Sequence, residues 1–478
     1  MQTLKNKVSK GFLWSSIERL SIQGVQFAVG IVVARLLTPA DYGLMGMVMV
    51  FLAISQVFID SGFSTALIQK KDRTETDYAT VFYFNVVLGI LLYGLLFAGA
   101  PLISRFYQQP ELVRITRVWG INVIFISLAV VQRAKLTIQV DFKTQAKASF
   151  LSVVLSGIAG IAWAYKGYGV WALVVQTLLN NGLNTLFLWV YARWIPLRQF
   201  STESFTRLFG FGSKLLGAGI LDTIYKNLYP LIIGKLFSSA ALGYYTRADQ
   251  FCQLPSSNVT GIIQRVTFPV LCELQEDKEK LKQIYRKFVQ MTALLIFPLM
   301  LGLAAVSVPA IRFILTDKWL PSAWMLQLLC LSGMLYPIHA LNLNLLNVKG
   351  RSDLFLRLEI IKKGIITIAI LLTFREGVLA LIAGQVATSY ITLFINTYYT
   401  KKMIDYGMLD QLKDLSKILF LSVFTAVFMW SITFLPCSDL LKLTLCISAG
   451  GGIYLGLACW FNIGHIREIG RIIMKRNE

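Results

Sequence analysis

Charge is scarce in this 478-residue sequence: Asp, Glu, Lys and Arg make up 15% of it, where a soluble domain carries about 25%. With 56% hydrophobic residues and a mean hydropathy of +0.63, that scarcity excludes a soluble globular enzyme and a disordered chain. It points to a chain whose solvent is mostly lipid. Acid is scarcer than base, 25 residues against 46, for a net charge of +21. Histidine occurs only as His339 and His465, too few to build a metal cluster. The cysteines (Cys252, Cys272, Cys330, Cys437, Cys446 and Cys459) form no CxxC pair and sit mostly in apolar runs. They read as small buried hydrophobes, not as a disulfide or metal framework. Walker A is absent, because Gly234-Lys235 lacks the upstream glycine and a following Ser or Thr; a pump with its own ATPase is excluded. HExxH, GxSxG and DxD are absent too. No catalytic residue, metal or cofactor is expected. Nor is a cleavable signal peptide: Lys5, Lys7 and Lys10 precede an apolar run, but that run holds Glu18 and Arg19 and has no small-x-small site.

What is present is a series of long apolar runs. A bilayer core needs about 20 apolar residues per helix. On that basis the spans fall at 11–34, 42–64, 79–104, 113–132, 148–165, 168–192, 208–234, 241–264, 288–311, 321–346, 355–374, 377–399, 415–435 and 440–462. The spans 208–234 and 241–264 are the least apolar. With the N-terminus in the cytoplasm, and bases near span ends counted with their loops, the cytoplasmic segments hold 30 Lys and Arg and the external loops 9. Each cytoplasmic segment exceeds each external one. This is the positive-inside pattern; it places both termini in the cytoplasm and makes most of the +21 a topology signal, not a nucleic-acid footprint.

The chain also repeats. GIVVARLLTPADYG (30–43) aligns with PLIIGKLFSSAALG (230–243) at an offset of 200, pairing Arg35 with Lys235, Thr38 with Ser238, Ala40 with Ala240 and Gly43 with Gly243. Both copies join the first two helices of a six-helix block on the external side, so the blocks are parallel repeats. The expected architecture is all-α and membrane-integral, with about 14 transmembrane helices. An N-terminal lobe (1–192), a cytoplasmic linker (193–207) and a second lobe (208–400) precede two extra helices and a tail (401–478), with the substrate path between the lobes.

Charged residues inside spans cost roughly 2.5–3.5 kcal/mol each if bare in lipid, so each needs a partner, water or an interface. Thr246, Gln250, Gln253, Ser257, Thr260 and Gln264 recur every three or four residues, one polar face of a helix with Arg247 and Asp249 beside it. Lys214, Asp222 and Lys226 share a face of the preceding span, and Asp222 and Lys226 are placed to pair. Ser15, Arg19, Gln23 and Gln26 make a similar stripe in the first span, with Glu18 beside it. Water-lined cavity and polar helix packing both explain such stripes, and ion pairing explains the acid–base neighbours as well as function does. Lys362 and Lys363 are read as snorkelling to headgroups, Arg117 as interfacial, Asp60 as capping Ser61-Gly62, and His339 as a helix-packing residue. Pro230, Pro255, Pro298, Pro309 and Pro337 are kinks or hinges.

The run ARLLTPADYGLMGMVMVFLAISQVFIDSGFSTALIQKK (34–71) with DYATVFYFNVVLG (77–89) resembles bacterial polysaccharide flippases of the multidrug/oligosaccharidyl-lipid/polysaccharide exporter superfamily. FPLMLGLAAVSVPAIRFIL (297–315), Trp319 and LNLLNVKGRSDLFLRLEIIKK (343–363) resemble that family's second lobe, especially in the colanic-acid and teichuronic-acid exporter branch. The resemblance implies a MATE-like fold in the bacterial inner membrane. It also implies flipping of undecaprenyl-diphosphate-linked oligosaccharide for surface polysaccharide synthesis by alternating access. The expected partners are that lipid-linked substrate, membrane lipid and polysaccharide polymerase machinery. Relatives receive the diphosphate in a cationic cavity and draw on an ion gradient. The residues here that match by position are Arg19, Lys214, Lys226 and Arg247. Gln23, Gln26, Gln250, Gln253 and Ser257 line the cavity, and Glu18, Asp222 and Asp249 are the candidates for ion coupling. The competing reading is a cation-coupled multidrug or metabolite antiporter of the same superfamily.

Overall fold

The computed structural model describes residues 21–60, 63–70 and 72–461. Glu18 and Arg19 lie outside them, and so do Ser61 and Gly62, the expected partners of Asp60. Among the described residues the chain is helical and holds no strand. In chain order the helices are α1 (Ser21–Leu36), α2 (Pro39–Asp60), α3 (Phe63–Gln69), α4 (Glu75–Tyr107), α5 (Leu112–Trp119), α6 (Ile121–Ile138), α7 (Phe142–Tyr165), α8 (Val170–Ala192), α9 (Thr202–Lys226) and α10 (Leu228–Leu236). There follow α11 (Ser239–Glu273), α12 (Lys278–Ala305), α13 (Ser307–Leu315), α14 (Pro321–Gly333), α15 (Tyr336–Val348), α16 (Ser352–Thr373), α17 (Val378–Ile404), α18 (Met408–Ile432) and α19 (Asp439–Trp460).

Local chemistry sets the boundaries. Thr74 caps α4 in a reciprocal capping box with Asp77, and Asp141, Ser201, Asp277 and Ser438 cap α7, α9, α12 and α19. Each satisfies an amide that a helix start leaves without a partner. Gly169 and Gly377 precede α8 and α17 with φ of +56° and +103°, a region that favours glycine. The prolines divide into two groups. Pro230, Pro309 and Pro337 stand in the first turns of α10, α13 and α15, just after helix breaks, where the missing N–H costs nothing. Pro255 and Pro298 remain inside α11 and α12.

Among the described residues, nine helical stretches are long and apolar enough to cross a membrane. The other expected spans also fall on helix (α1, α8, α9–α10, α11 and α16), and the described part of α1 is apolar but short.

The chain divides into two compact units, Met1–Gly243 and Tyr244–Glu478. In the first, the α7–α8 hairpin packs on α6, and α6 on α4. An aromatic cluster of Phe63, Tyr78, Phe82 and Trp194 fills its core. Helices α9 and α10 also belong to this unit and lie against α2. The repeat therefore divides the chain by sequence at one place, and packing divides it at another. In the second unit α18 packs along α12 and α19 along α18.

Candidate translocation site

The two repeat copies meet. Thr38 caps α2, its hydroxyl and amide bonded to the Asp41 carboxylate at 2.6 and 2.8 Å. Ser238 caps α11 by accepting the Ala241 amide at 3.1 Å. The repeat's Thr–Ser pairing is therefore a pair of N-caps. Both helix starts then cross at glycine. A Cβ on Gly43 would overlap the Ser239 carbonyl oxygen, and one on Gly243 would overlap the Pro39 carbonyl oxygen. Ser239 is the repeat equivalent of Pro39, so the contact is reciprocal. Lys235, the equivalent of Arg35, donates to the Phe106 carbonyl in the last turn of α4, with its ammonium 4.7 Å from the Phe106 ring centroid. A cation there complements the negative end of the helix.

The residues predicted to form the cavity, where described, lie on α1, α9 and α11. In α9, Lys226 pairs with Asp222 at 2.7 Å, and the lysine side chain is largely exposed. Lys214 lies in the same helix, with its side chain outside the described residues, as Arg19 and Glu18 are. In α1, Gln26 is exposed and Gln23 half-buried. In α11 the polar stripe is real: Gln250, Gln253 and Gln264 are exposed and Ser257 half-buried, while Thr260 turns inward and donates to the Ser256 carbonyl at 2.7 Å. Gln253 donates to Asp249 at 3.4 Å. Arg247 is buried; it donates to Gln250 and lies over Trp319, 5.9 Å from the ring centroid.

The comparisons with known proteins decide the family. A family model described as "Polysaccharide biosynthesis protein" matches residues 32–324. The chain belongs to that family. It is 28% identical to the teichuronic acid biosynthesis protein TuaB of Bacillus subtilis (strain 168), covering 74% of each chain. It is 26% identical to the lipopolysaccharide biosynthesis protein WzxC of Escherichia coli (strain K12), covering 75% of this chain and 74% of that one. Its fold is similar to that of the lipid II flippase MurJ in an inward closed conformation, with a TM-score of 0.79 at 16% identity over 95% of this chain and 100% of that chain. An inward-facing MATE family multidrug transporter of the MOP superfamily aligns with a TM-score of 0.62 at 15% identity, over 80% and 96%. The expected MATE-like fold is borne out.

Within this member of the polysaccharide biosynthesis family, three readings change or sharpen. Lys362 does not snorkel: it is 8% exposed and pairs with Glu359 at 3.0 Å, because a carboxylate one turn away offers a partner inside the protein. His339 packs between helices as expected, with Nδ1 3.1 Å from Asn396 and Nε2 3.1 Å from Ser389. The sequence reading missed a hub at Asn342. Its Oδ1 accepts from Tyr285, Thr400 and Gln411 at 2.8, 2.9 and 3.1 Å. Those donors come from α12, α17 and α18, and no spacing within one helix could reveal them.

Proposed function

We propose that this protein flips undecaprenyl-diphosphate-linked oligosaccharide repeat units across the bacterial inner membrane for surface polysaccharide biosynthesis, by alternating access. Fourteen spans with both termini in the cytoplasm fit the charge distribution of the loops, and the two parallel lobes fit the 200-residue repeat. The action involves no covalent step. A diphosphate carrying a sugar chain cannot cross about 30 Å of hydrocarbon unaided, so the protein must supply polar surface at that depth.

The observation that carries this reading is the polar face of α11, a run of amides and hydroxyls on a helix of a chain in the polysaccharide biosynthesis family. Its Gln250, Gln253 and Ser257 suit sugar hydroxyls. Lys226 and the other bases in these helices suit phosphate oxygens, which bind cations through charge-assisted hydrogen bonds. Asp222 and Asp249 are the carboxylates available for coupling to an ion gradient. Membrane lipid and polysaccharide polymerase machinery are the proposed neighbours.

The test is a deletion strain. Lipid-linked repeat units are labelled with an impermeant lectin in spheroplasts and in inverted vesicles. Units confined to the cytoplasmic leaflet, with surface polysaccharide restored by the plasmid-borne gene, support the proposal. An unchanged periplasmic share in the deletion strain overturns it.

A further inference from the structure

Apart from these helix faces, the first unit holds a second polar site. Helices α2, α3, α6 and α8 line a pocket of about 310 Å³. It has the volume of about ten liquid waters, room for a sugar ring with its solvent. Gln56 and Asp60 project into it from α2, Arg133 from α6, and Asn184 from α8. Gln56, Asp60 and Arg133 are exposed although they lie on membrane helices or at their ends, so they face the pocket's water and not lipid. Among the described residues no hydrogen bond or contact ion pair ties up these three side chains. The Asn184 carbonyl oxygen is buried with no hydrogen-bond partner. Thr185 and Asn181, by contrast, are spent on α6, donating to the Phe125 carbonyl and the Asn122 amide oxygen, both at 2.8 Å. Those two bonds fix α8 on α6 and hold Asn184 in place.

The donor set defines the ligand. One carboxylate and one guanidinium cancel, so the pocket gives an anion no net attraction. A carboxylate only accepts, a guanidinium only donates, and an amide does both. Neighbouring hydroxyls on a ring, each able to donate and accept, satisfy such a set. We propose that this pocket is a saccharide subsite that binds a neutral sugar ring of the glycan, apart from the bases that meet the diphosphate. The inference rests on the flippase reading and adds to it a place where the glycan itself is recognised. Gln56 stands about 6 Å along α2 from Asp60, so the site offers two contact points on one helix to successive hydroxyls.

The test uses the full-length protein in nanodiscs and calorimetry. The probes are the repeat-unit oligosaccharide released from the host's own surface polysaccharide and, as the anionic control, inorganic diphosphate. Gln56→Leu and Asp60→Asn, which keep the pocket's shape, are each expected to weaken oligosaccharide binding about tenfold and to leave diphosphate binding unchanged. Arg133→Gln is expected to do the same; should it not fold, the other two still decide. In cells the variants lower surface polysaccharide. Equal oligosaccharide affinity in wild type and variants overturns the subsite. So does a wild-type protein that binds no free oligosaccharide yet restores surface polysaccharide to the deletion strain. A deletion strain that keeps full polysaccharide overturns the flippase reading instead, whatever the calorimetry shows.

Discussion

Gly43 and Gly243 stand 200 residues apart at matching positions of the repeat, and each lies against the backbone that opens the other's helix. Small residues let membrane helices approach at backbone distance. Here the requirement is reciprocal, because the obstacle on either side is a carbonyl group that no rotamer change can move. Gly43→Ala and Gly243→Ala are each expected to cost about 1–3 kcal/mol through overpacking and to reduce surface polysaccharide. Gly94→Ala and Gly99→Ala serve as controls, because no atom lies within 4 Å of the added Cβ. Thermal unfolding in detergent measures the difference; equal melting temperatures in all four variants would refute the close approach.

Asn342 is 2% exposed and joins four helices through one oxygen. Asn342→Leu keeps the volume and strands the Tyr285 hydroxyl and the Gln411 amide, each costing about 1–3 kcal/mol when left buried without a partner, while Thr400 keeps the Asn396 carbonyl at 3.2 Å. The expected result is a large fall in melting temperature and in membrane-inserted protein. Tyr285→Phe removes a single donor and should cost about 1 kcal/mol. A melting curve for Asn342→Leu that overlays wild type would show that the hub contributes nothing.

These two sites differ in how far the sequence discloses them. Gly43 and Gly243 were visible as a repeat because helix caps and crossing glycines are local requirements written at fixed spacing. The α11 stripe was visible for the same reason, since its amides follow the helical period. Asn342 was not, because its partners lie 57, 58 and 69 residues away. Lys362 was misread because snorkelling is the default for a lysine near a membrane surface, and only its neighbours show that it is buried. The pocket at Asp60 and Arg133 depends on four helices converging, so each residue alone reads as an ordinary span end.

Lys226 and Arg247 test the substrate path in different ways. Lys226 is exposed and its pair with Asp222 is an i,i+4 contact, worth only about 0.3–0.5 kcal/mol. Lys226→Ala is therefore expected to abolish surface polysaccharide while leaving protein level and melting temperature unchanged. Arg247→Ala is expected to lower both polysaccharide and melting temperature, since it removes a buried guanidinium from the Trp319 face. Arg247→Lys keeps the charge but not the planar fork, so it should recover only part of the loss. Full polysaccharide in both alanine variants would remove these bases from the site.

Acid should loosen the start of α4. This helix has 33 residues, about 50 Å at 1.5 Å per residue, so its first turn stands outside the expected span 79–104. Asp77 lies in that turn with its side chain fully buried, bonded to Lys70 and, at 3.4 Å, to Arg207 of α9. Burial works to raise its carboxyl; the Lys70 ammonium, the Thr74 amide and the Ser204 hydroxyl outweigh that and hold it at about 2. An unfolded chain returns the group to 3.8, so the carboxylate favours the native state above that pH. The contribution is lost as pH falls through the native value. Melting temperature should thus fall between about pH 4 and pH 2 more steeply in wild type than in Asp77→Asn, which has no carboxylate to protonate there. Parallel curves for the two proteins would refute the role of Asp77 in tying the start of α4 to Lys70 and to Arg207 of α9.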